Sequence, residues 1–133
     1  MTWEARHLSI AIDRSPALVA SFAGDPANLG RWAAGLGDGL REDDGRWFTD
    51  MQGGTGTVEV RFVGPVAAGV LDHEVRLPDG TVFVNPLRVL PNDAGSEVVF
   101  TVFRRDGVDD DAFDADAAAV AADLATLKRL LES

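Results

Sequence analysis

Residues 69–90 contain two alternating stretches joined by the sequence Pro-Asp-Gly, which is typical of a β-hairpin. From Leu71 to Leu77 every second residue is apolar except His73, and the residues between them are charged. Successive side chains of a strand point to opposite faces, so one face of this strand is apolar and the other is charged. His73 is therefore predicted to lie on the buried face, where an imidazole needs a hydrogen-bond partner or borders a cavity.

The length of the connecting loop decides which residue lies opposite His73. A three-residue loop, 78–80, with its glycine in the left-handed conformation, places His73 opposite Asn85. A two-residue loop would shift the pairing and move Asn85 to the charged face. We favour the three-residue loop because it turns Phe83 and Leu87 toward the apolar side. It also pairs the two polar residues of an otherwise apolar face.

On the charged face, the same register makes Asp72 and Arg88 diagonal neighbours on adjacent strands. Oppositely charged side chains at this spacing can reach each other. We therefore predict an ion pair between Asp72 and Arg88.

Before the hairpin, the chain begins with a strand and two short helices. Residues 7–13 alternate and predict the strand. Ser-Pro at 15–16 and Asp-Pro at 25–26 each supply an N-cap residue followed by proline at the first helical position. The second helix is predicted to end near Trp32.

Residues 35–105 are predicted to form six short strands. Turn sequences separate them, among them QGGTG at 52–56. Connections this short favour antiparallel neighbours.

The last part of the chain is predicted to be one long helix. Aspartates at 109–111 suit a helix N-terminus, and Lys128 and Arg129 suit its C-terminus. A helix of about 22 residues would be about 33 Å long, which is enough to cross a sheet. Its apolar residues recur at spacings of three and four and form one stripe: Phe113, Ala117, Val120, Leu124, Leu127 and Leu131.

The composition limits the possible functions. A chain of 133 residues with net charge −10 fits one domain, 1–133, and lacks the basic surface that nucleic acids and anionic membranes require. With no cysteine and two histidines, we expect no disulfide, no metal and no other cofactor. No stretch approaches about 18 apolar residues, and the N-terminus lacks a signal sequence. We therefore expect a cytoplasmic protein that does not insert into membranes.

The order of elements is that of the helix-grip fold, in which a curved antiparallel sheet wraps around a long C-terminal helix. Four segments, IAIDRSPALVASFAGDPANLGRW, VLDHEVRLPDG, NPLRVLPN and DAAAVAADLATLKRLLE, resemble the START-like (SRPBCC) superfamily in its bacterial polyketide cyclase/dehydrase and lipid-transport branch. The resemblance implies an α+β fold, β-α-α-β6-α, with a seven-stranded sheet and a cavity under the helix. The superfamily includes lipid carriers, hormone receptors, aromatase/cyclases and chaperone activators, so membership alone does not choose a function.

The register and the resemblance together give a candidate ligand-binding site. Either His73 and Asn85 hydrogen-bond each other and close the interior, or His73 contacts a ligand's carbonyl or hydroxyl group while Asn85 orients the ring. Trp32 either gates the cavity or covers the core. The predicted ligand-binding residues are His73, Asn85, Leu71, Val75, Phe83, Leu87 and Trp32.

Three functions fit these observations. The main hypothesis is binding of a small hydrophobic or aromatic molecule, such as a lipid or a polyketide-like compound. The alternative is a cyclase or dehydratase that uses His73 as its acid/base residue, although the chain has no tyrosine to assist an enolate. A chaperone-activator-like interaction module is the third. We expect a monomer or a homodimer.

Overall fold

In the part of the chain that the structure describes, eight strands and three α-helices follow the predicted order of a strand, two helices, further strands and a long helix. A computed structural model describes residues 1–36, 39–50 and 56–133, so most of the predicted turn at 52–56 lies outside the described residues. The strands are β1 (Ala5–Ile12), β2 (Arg41–Asp43), β3 (Arg46–Asp50), β4 (Thr57–Phe62), β5 (His73–Arg76), β6 (Val82–Asn85), β7 (Leu87–Asn92) and β8 (Gly95–Phe103). The helices are α1 (Pro16–Ala23), α2 (Leu29–Trp32) and α3 (Asp110–Glu132).

Short polar side chains cap α1 and α3 as the sequence predicts, whereas Asp25 caps a 3₁₀ turn, Pro26–Asn28, and α2 follows without a side-chain cap of its own. The Ser15 hydroxyl accepts a hydrogen bond from the Leu18 amide at 3.3 Å, and Pro16 occupies the first turn of α1. The Asp109 carboxylate accepts a hydrogen bond from the Ala112 amide at 2.8 Å and caps α3, which is 23 residues long. These caps satisfy amides that have no partner within the helix.

The strands form two antiparallel sheets rather than the single seven-stranded sheet that was predicted. One sheet has the order β1-β8-β7, and the other has the order β2-β3-β4-β5-β6. The extra strand arises at Pro86, which divides the predicted strand at 81–90 into β6 and β7. Proline has no amide hydrogen to donate to a neighbouring strand. The chain therefore leaves β5 at this residue and continues beside β8.

The predicted hairpin register is confirmed. His73 lies opposite Asn85, and Val75 lies opposite Phe83. The loop is closed by the Leu77 amide, which donates to the Thr81 carbonyl oxygen at 2.8 Å. The glycine of the loop, at position 80, has a φ of +90°, as a three-residue connection requires.

The two sheets meet at Gly69. The Val89 amide donates to the Gly69 carbonyl oxygen at 2.9 Å, and Val70 forms an isolated bridge with Arg88. Gly69 has a φ of +83°, and a Cβ at this position would overlap the Val89 carbonyl oxygen. A glycine is therefore needed for β7 to approach the segment that leads into β5.

The predicted ion pair between Asp72 and Arg88 is also confirmed. The Arg88 guanidinium donates two hydrogen bonds to the Asp72 carboxylate, at 2.9 and 2.7 Å. The Leu87 amide donates to the same carboxylate at 2.9 Å. The Arg88 hydrogen bonds are the main reason that the pKa of Asp72 lies below its usual value of 3.8. Asp72 thus connects the two sheets on their outer face.

The core lies between the concave side of the sheets and the helices. On α3, the predicted stripe supplies Phe113, Leu124 and Leu127, which are almost completely buried. Val19 and Ala23 of α1 are equally buried against the same core. Toward α2 the packing is looser, and a cavity remains between α2, α3 and the sheets.

Candidate functional site

A partly open cavity of about 250 Å³ lies under α2 and α3. Apolar side chains form most of its wall, and the polar exceptions come from β5, β6 and α3. The lining residues are Leu29, Trp32, Ala33, Gly35, Leu36, Val60, His73, Val75, Asn85, Phe100, Val120 and Asp123. Such a mixture of apolar wall and few polar groups is typical of small-molecule sites.

His73 presents one ring nitrogen as a hydrogen-bond acceptor. Its Nδ1 lies 3.0 Å from the Leu71 carbonyl oxygen. A carbonyl oxygen can only accept, so Nδ1 carries the hydrogen and donates it, and Nε2 of the neutral ring keeps its lone pair. Nε2 has no hydrogen-bond partner among the described residues. The rings of Phe62 and Phe100 meet the imidazole edge-on, with centroid distances of 5.5 and 6.0 Å.

Burial keeps the His73 ring uncharged. The residue is only 8% exposed. Loss of hydration is the largest effect on its pKa and lowers it below the usual 6.5, while the Leu71 carbonyl and the Asp72 carboxylate act in the opposite direction. At neutral pH the imidazole is therefore neutral and Nε2 is a base.

Asn85 lies opposite His73 but does not hold its ring. The ring hydrogen bond goes to the Leu71 carbonyl, two residues earlier in the chain and just before β5 begins. Within residues 1–36, 39–50 and 56–133, the Asn85 side chain has no hydrogen-bond partner either. Two polar groups with unused hydrogen-bonding capacity thus border the same cavity.

Asp123 is a cavity residue that the sequence analysis missed. Its carboxylate accepts a hydrogen bond from the Ala34 amide at 3.1 Å, which ties α3 to the turn after α2. Burial raises the pKa of this carboxyl above its usual 3.8, and the Ala34 hydrogen bond partly opposes the shift. The signal was present in the sequence: Asp123 comes three residues after Val120 and four before Leu127, so it shares the apolar face of the helix.

Trp32 also borders the cavity, and it is 4% exposed. Its indole N–H is buried and has no acceptor in the described part of the chain. A buried donor without a partner costs about 1–3 kcal/mol. The Trp32 indole N–H therefore needs a ligand or a water molecule in the cavity as its hydrogen-bond acceptor.

The structure brings four of the seven predicted site residues together on the cavity wall: His73, Asn85, Val75 and Trp32. Leu71 and Leu87 are completely buried in the core where the two sheets meet, because Pro86 carries the chain away from β5. Phe83 borders a different, outer pocket. These three residues lie off the cavity wall, contrary to the expected position, and the binding roles of all seven stay predictions.

One known protein family matches this chain over most of its length. The family described as polyketide cyclase/dehydrase and lipid transport matches residues 7–132, which is nearly the whole chain. The chain belongs to this family. The polyketide cyclase/dehydrase and lipid transport family has a fold that binds hydrophobic ligands, in agreement with the apolar wall.

Solved structures show the same START-like fold in distant relatives. XoxI from Bacillus cereus superposes with a TM-score of 0.71 at 15% identity, covering 100% of this chain and 97% of that one. The Aha1 dimer from Colwellia psychrerythraea superposes with a TM-score of 0.69 at 15% identity, covering 97% of this chain and 96% of that one. Ara h 8.0201 superposes with a TM-score of 0.68 at 13% identity, covering 97% of both chains. At these identities the likeness shows the fold alone. A comparison with curated proteins gave no match.

Two further kinds of site were sought in the described ranges. No helix there combines the length and hydropathy needed to cross a membrane. No three His, Cys, Asp or Glu side chains of those residues come together so that they could hold a metal ion. The cavity around His73 is the candidate site because of its lining, which combines an apolar wall with a few polar groups.

Proposed function

We propose that the chain binds a small hydrophobic or aromatic molecule, lipid-like or polyketide-like, in the cavity around His73. The observation that carries the proposal is an apolar cavity of about 250 Å³ whose wall contains an imidazole nitrogen with no hydrogen-bond partner in the described residues. Asn85, Val75 and Trp32 complete the proposed ligand contacts.

The cavity volume favours a ligand of modest size. An apolar cavity of about 150 Å³ holds benzene, and pockets for drug-sized molecules begin at about 300 Å³. A volume of about 250 Å³ therefore fits one or two fused rings or a short acyl chain better than a complete diacyl lipid.

The polar groups favour a ligand that carries a hydroxyl group. A hydroxyl hydrogen can be donated to Nε2 of His73, which is an acceptor in the neutral ring. The Asn85 amide can donate to the oxygen of the same hydroxyl or accept from a second one. An apolar ligand without such a group would leave both side chains unpaired, and this lowers its affinity.

Binding of 2-naphthol tests the proposal. We expect a 1:1 complex by native mass spectrometry and a shift of the Trp32 indole signal in nitrogen–proton spectra. Replacing His73 by phenylalanine keeps a ring but removes the acceptor, so we expect affinity for 2-naphthol to fall by about tenfold. Affinity for naphthalene should stay within about twofold, because naphthalene makes no hydrogen bond.

The other histidine of the chain supplies the control. His7 is exposed on β1, where its Nδ1 contacts the Thr101 hydroxyl at 2.8 Å. His7→Phe should bind 2-naphthol as the parent protein does. The proposal fails if neither probe binds, or if His73→Phe and the parent bind 2-naphthol equally.

Catalysis is a second candidate, favoured by the opposite pKa shifts of two cavity residues. Burial lowers the pKa of His73 and raises the pKa of Asp123, so a neutral imidazole and a carboxyl that holds its proton more firmly than usual border the same cavity. Such a pair could remove a proton next to a carbonyl group and protonate the enolate oxygen, as a cyclase or dehydratase requires.

Proton exchange at acetophenone tests this candidate without a natural substrate. If His73 acts as a base, the protein should accelerate exchange of the acetophenone methyl protons in D₂O by at least about tenfold. His73→Ala should remove the acceleration, and Asp123→Asn should reduce it. Exchange at the buffer rate with the parent protein, measured by proton NMR, leaves binding as the function.

A further inference from the structure

A second pocket of about 560 Å³ lies at the outer edge of the five-stranded sheet. Strand β6 ends that sheet, and residues 81–84 form one wall of the pocket. The other walls come from Trp3, Phe103, Arg105 and Asp106. The pocket is more than twice as large as the cavity around His73 and shares no lining residue with it.

Arg105 is held in this pocket by aromatic rings. Its guanidinium carbon lies 4.5 Å from the centre of the Phe83 ring and 5.7 Å from that of Trp3. One terminal nitrogen donates to the Val84 carbonyl oxygen at 3.1 Å. The rings cover the faces of the guanidinium, whereas hydrogen bonds form at its edge. The remaining N–H groups along the edge can thus be donated to a ligand.

Arg105 lacks the carboxylate partner that several other arginines have. Arg6, Arg46 and Arg88 each lie within 3 Å of an Asp or Glu oxygen. In the ranges that the structure describes, no such oxygen comes within 4.0 Å of an Arg105 nitrogen. The nearby Asp106 carboxylate instead accepts from the Trp3 indole N–H at 3.3 Å. Other arginines of the described ranges also lack an ion pair, so the feature that distinguishes Arg105 is its position over two aromatic rings.

Neighbouring side chains partly shield the Arg105 guanidinium from water, and in the described ranges they place no carboxylate in contact with it. Burial lowers the pKa of Arg105 from its usual value, and the charge of Asp116 on α3 offsets this only in part. A partly dehydrated guanidinium gains most from a carboxylate that it can bind through two parallel N–H groups.

We propose that this outer pocket is a second binding site, specific for an aromatic carboxylate. The carboxylate binds the free edge of the Arg105 guanidinium, and the aromatic body packs against Trp3 and Phe103. Trp3 is 50% exposed and therefore offers a ring face to such a ligand. The apolar side chains of Val82 and Val84, 38% and 44% exposed, lie along the same pocket.

An added peptide strand fits the same edge less well. Strand β6 has only four residues, and in an antiparallel pair alternate residues direct their backbone groups away from the partner strand. The Val84 carbonyl oxygen already accepts from Arg105. Arg105 thus covers part of the edge that a peptide would need.

Binding of 2-naphthoate tests the proposal, with the neutral 2-naphthamide as its isostere. The three tryptophan indole N–H signals distinguish the sites, because Trp3 borders the outer pocket and Trp32 borders the inner cavity. We expect 2-naphthoate to shift the Trp3 signal and to bind about tenfold more tightly than 2-naphthamide. Arg105→Gln should remove this preference, and added salt should weaken it.

Arg129→Gln is the matched control, because it removes the same charge from an exposed arginine on α3. It should leave the affinity and the Trp3 shift unchanged. A shift of the Trp32 signal alone would overturn the proposal, as would equal binding of the two naphthalene compounds. The second comparison uses only the parent protein, so it decides the question even if Arg105→Gln does not fold. The Trp3 signal reports the outer pocket, so this proposal can fail while 2-naphthol still binds beside His73.

Discussion

Gly69→Ala should lower the free energy of unfolding by about 3 kcal/mol or more. Gly69 has a φ of +83°, a conformation that alanine adopts only with strain. In addition, the new Cβ would overlap the Val89 carbonyl oxygen. The overlap forces β7 away from Gly69 and breaks the hydrogen bond between the Val89 amide and the Gly69 carbonyl oxygen, which is 2.9 Å long. Urea denaturation followed by circular dichroism measures the change.

Gly80→Ala separates the two causes. Gly80 has a similar φ of +90°, but a Cβ there would have no neighbour within 4 Å. We expect this substitution to lower the free energy of unfolding by about 1 kcal/mol, because it adds only the backbone strain of a positive φ. If both substitutions cost the same, the close approach at Gly69 contributes nothing. The contact between the two sheets would then not limit the stability of the fold.

Leu71→Ala should lower the free energy of unfolding by about 2–5 kcal/mol, which is the second largest effect that we expect. Leu71 is completely buried at the point where the sheets meet. Its removal leaves a cavity that neighbouring strands cannot fill, because their backbones are fixed by hydrogen bonds on both sides. The melting temperature should fall by about 8 °C or more for a chain of this size.

The same variant tests where the ligand-binding wall ends. Leu71 does not border the cavity, so affinity for 2-naphthol should change by less than about twofold at a temperature where the variant stays folded. Leu90→Ala is the control for stability, since Leu90 is 47% exposed and its loss should cost about 0.5 kcal/mol or less. A clear loss of 2-naphthol affinity in Leu71→Ala would mean that Leu71 does contribute to the ligand-binding site.

The features that sequence predicted correctly depend on local patterns. The hairpin register follows from the alternation of residues and the length of one turn, and these also fix the Asp72–Arg88 ion pair. The long helix α3 follows from spacings of three and four residues and from the aspartates at its start.

The features that sequence missed depend on which distant element covers a given position. His73 and Leu71 lie on the same predicted strand face, yet one borders the cavity and the other lies in the core. Alternation places both side chains inward, but it does not say where α2 leaves space. The partner of the His73 ring was expected to be Asn85, and the Leu71 carbonyl oxygen takes that place. Every residue has a backbone carbonyl oxygen, so the sequence does not indicate which of them accepts a given hydrogen bond.

Asp123 and Arg105 were missed for a related reason. Each is charged, and exposure is the usual expectation for a charged side chain. Asp123 is partly buried because the turn at Ala34 packs over it, and Arg105 because Phe83 and Trp3 stack on it. These neighbours are far apart in the chain, so only the folded structure brings them together.

The position of α3 in the chain has a consequence for synthesis. The strands of the described residues all precede this helix, which supplies Phe113, Leu124 and Leu127 to the core. On the ribosome, the concave face of the sheets therefore emerges before the helix that covers it. Until α3 arrives, this apolar face is open to aggregation. Folding of the nascent chain thus depends on how quickly its last segment follows the strands.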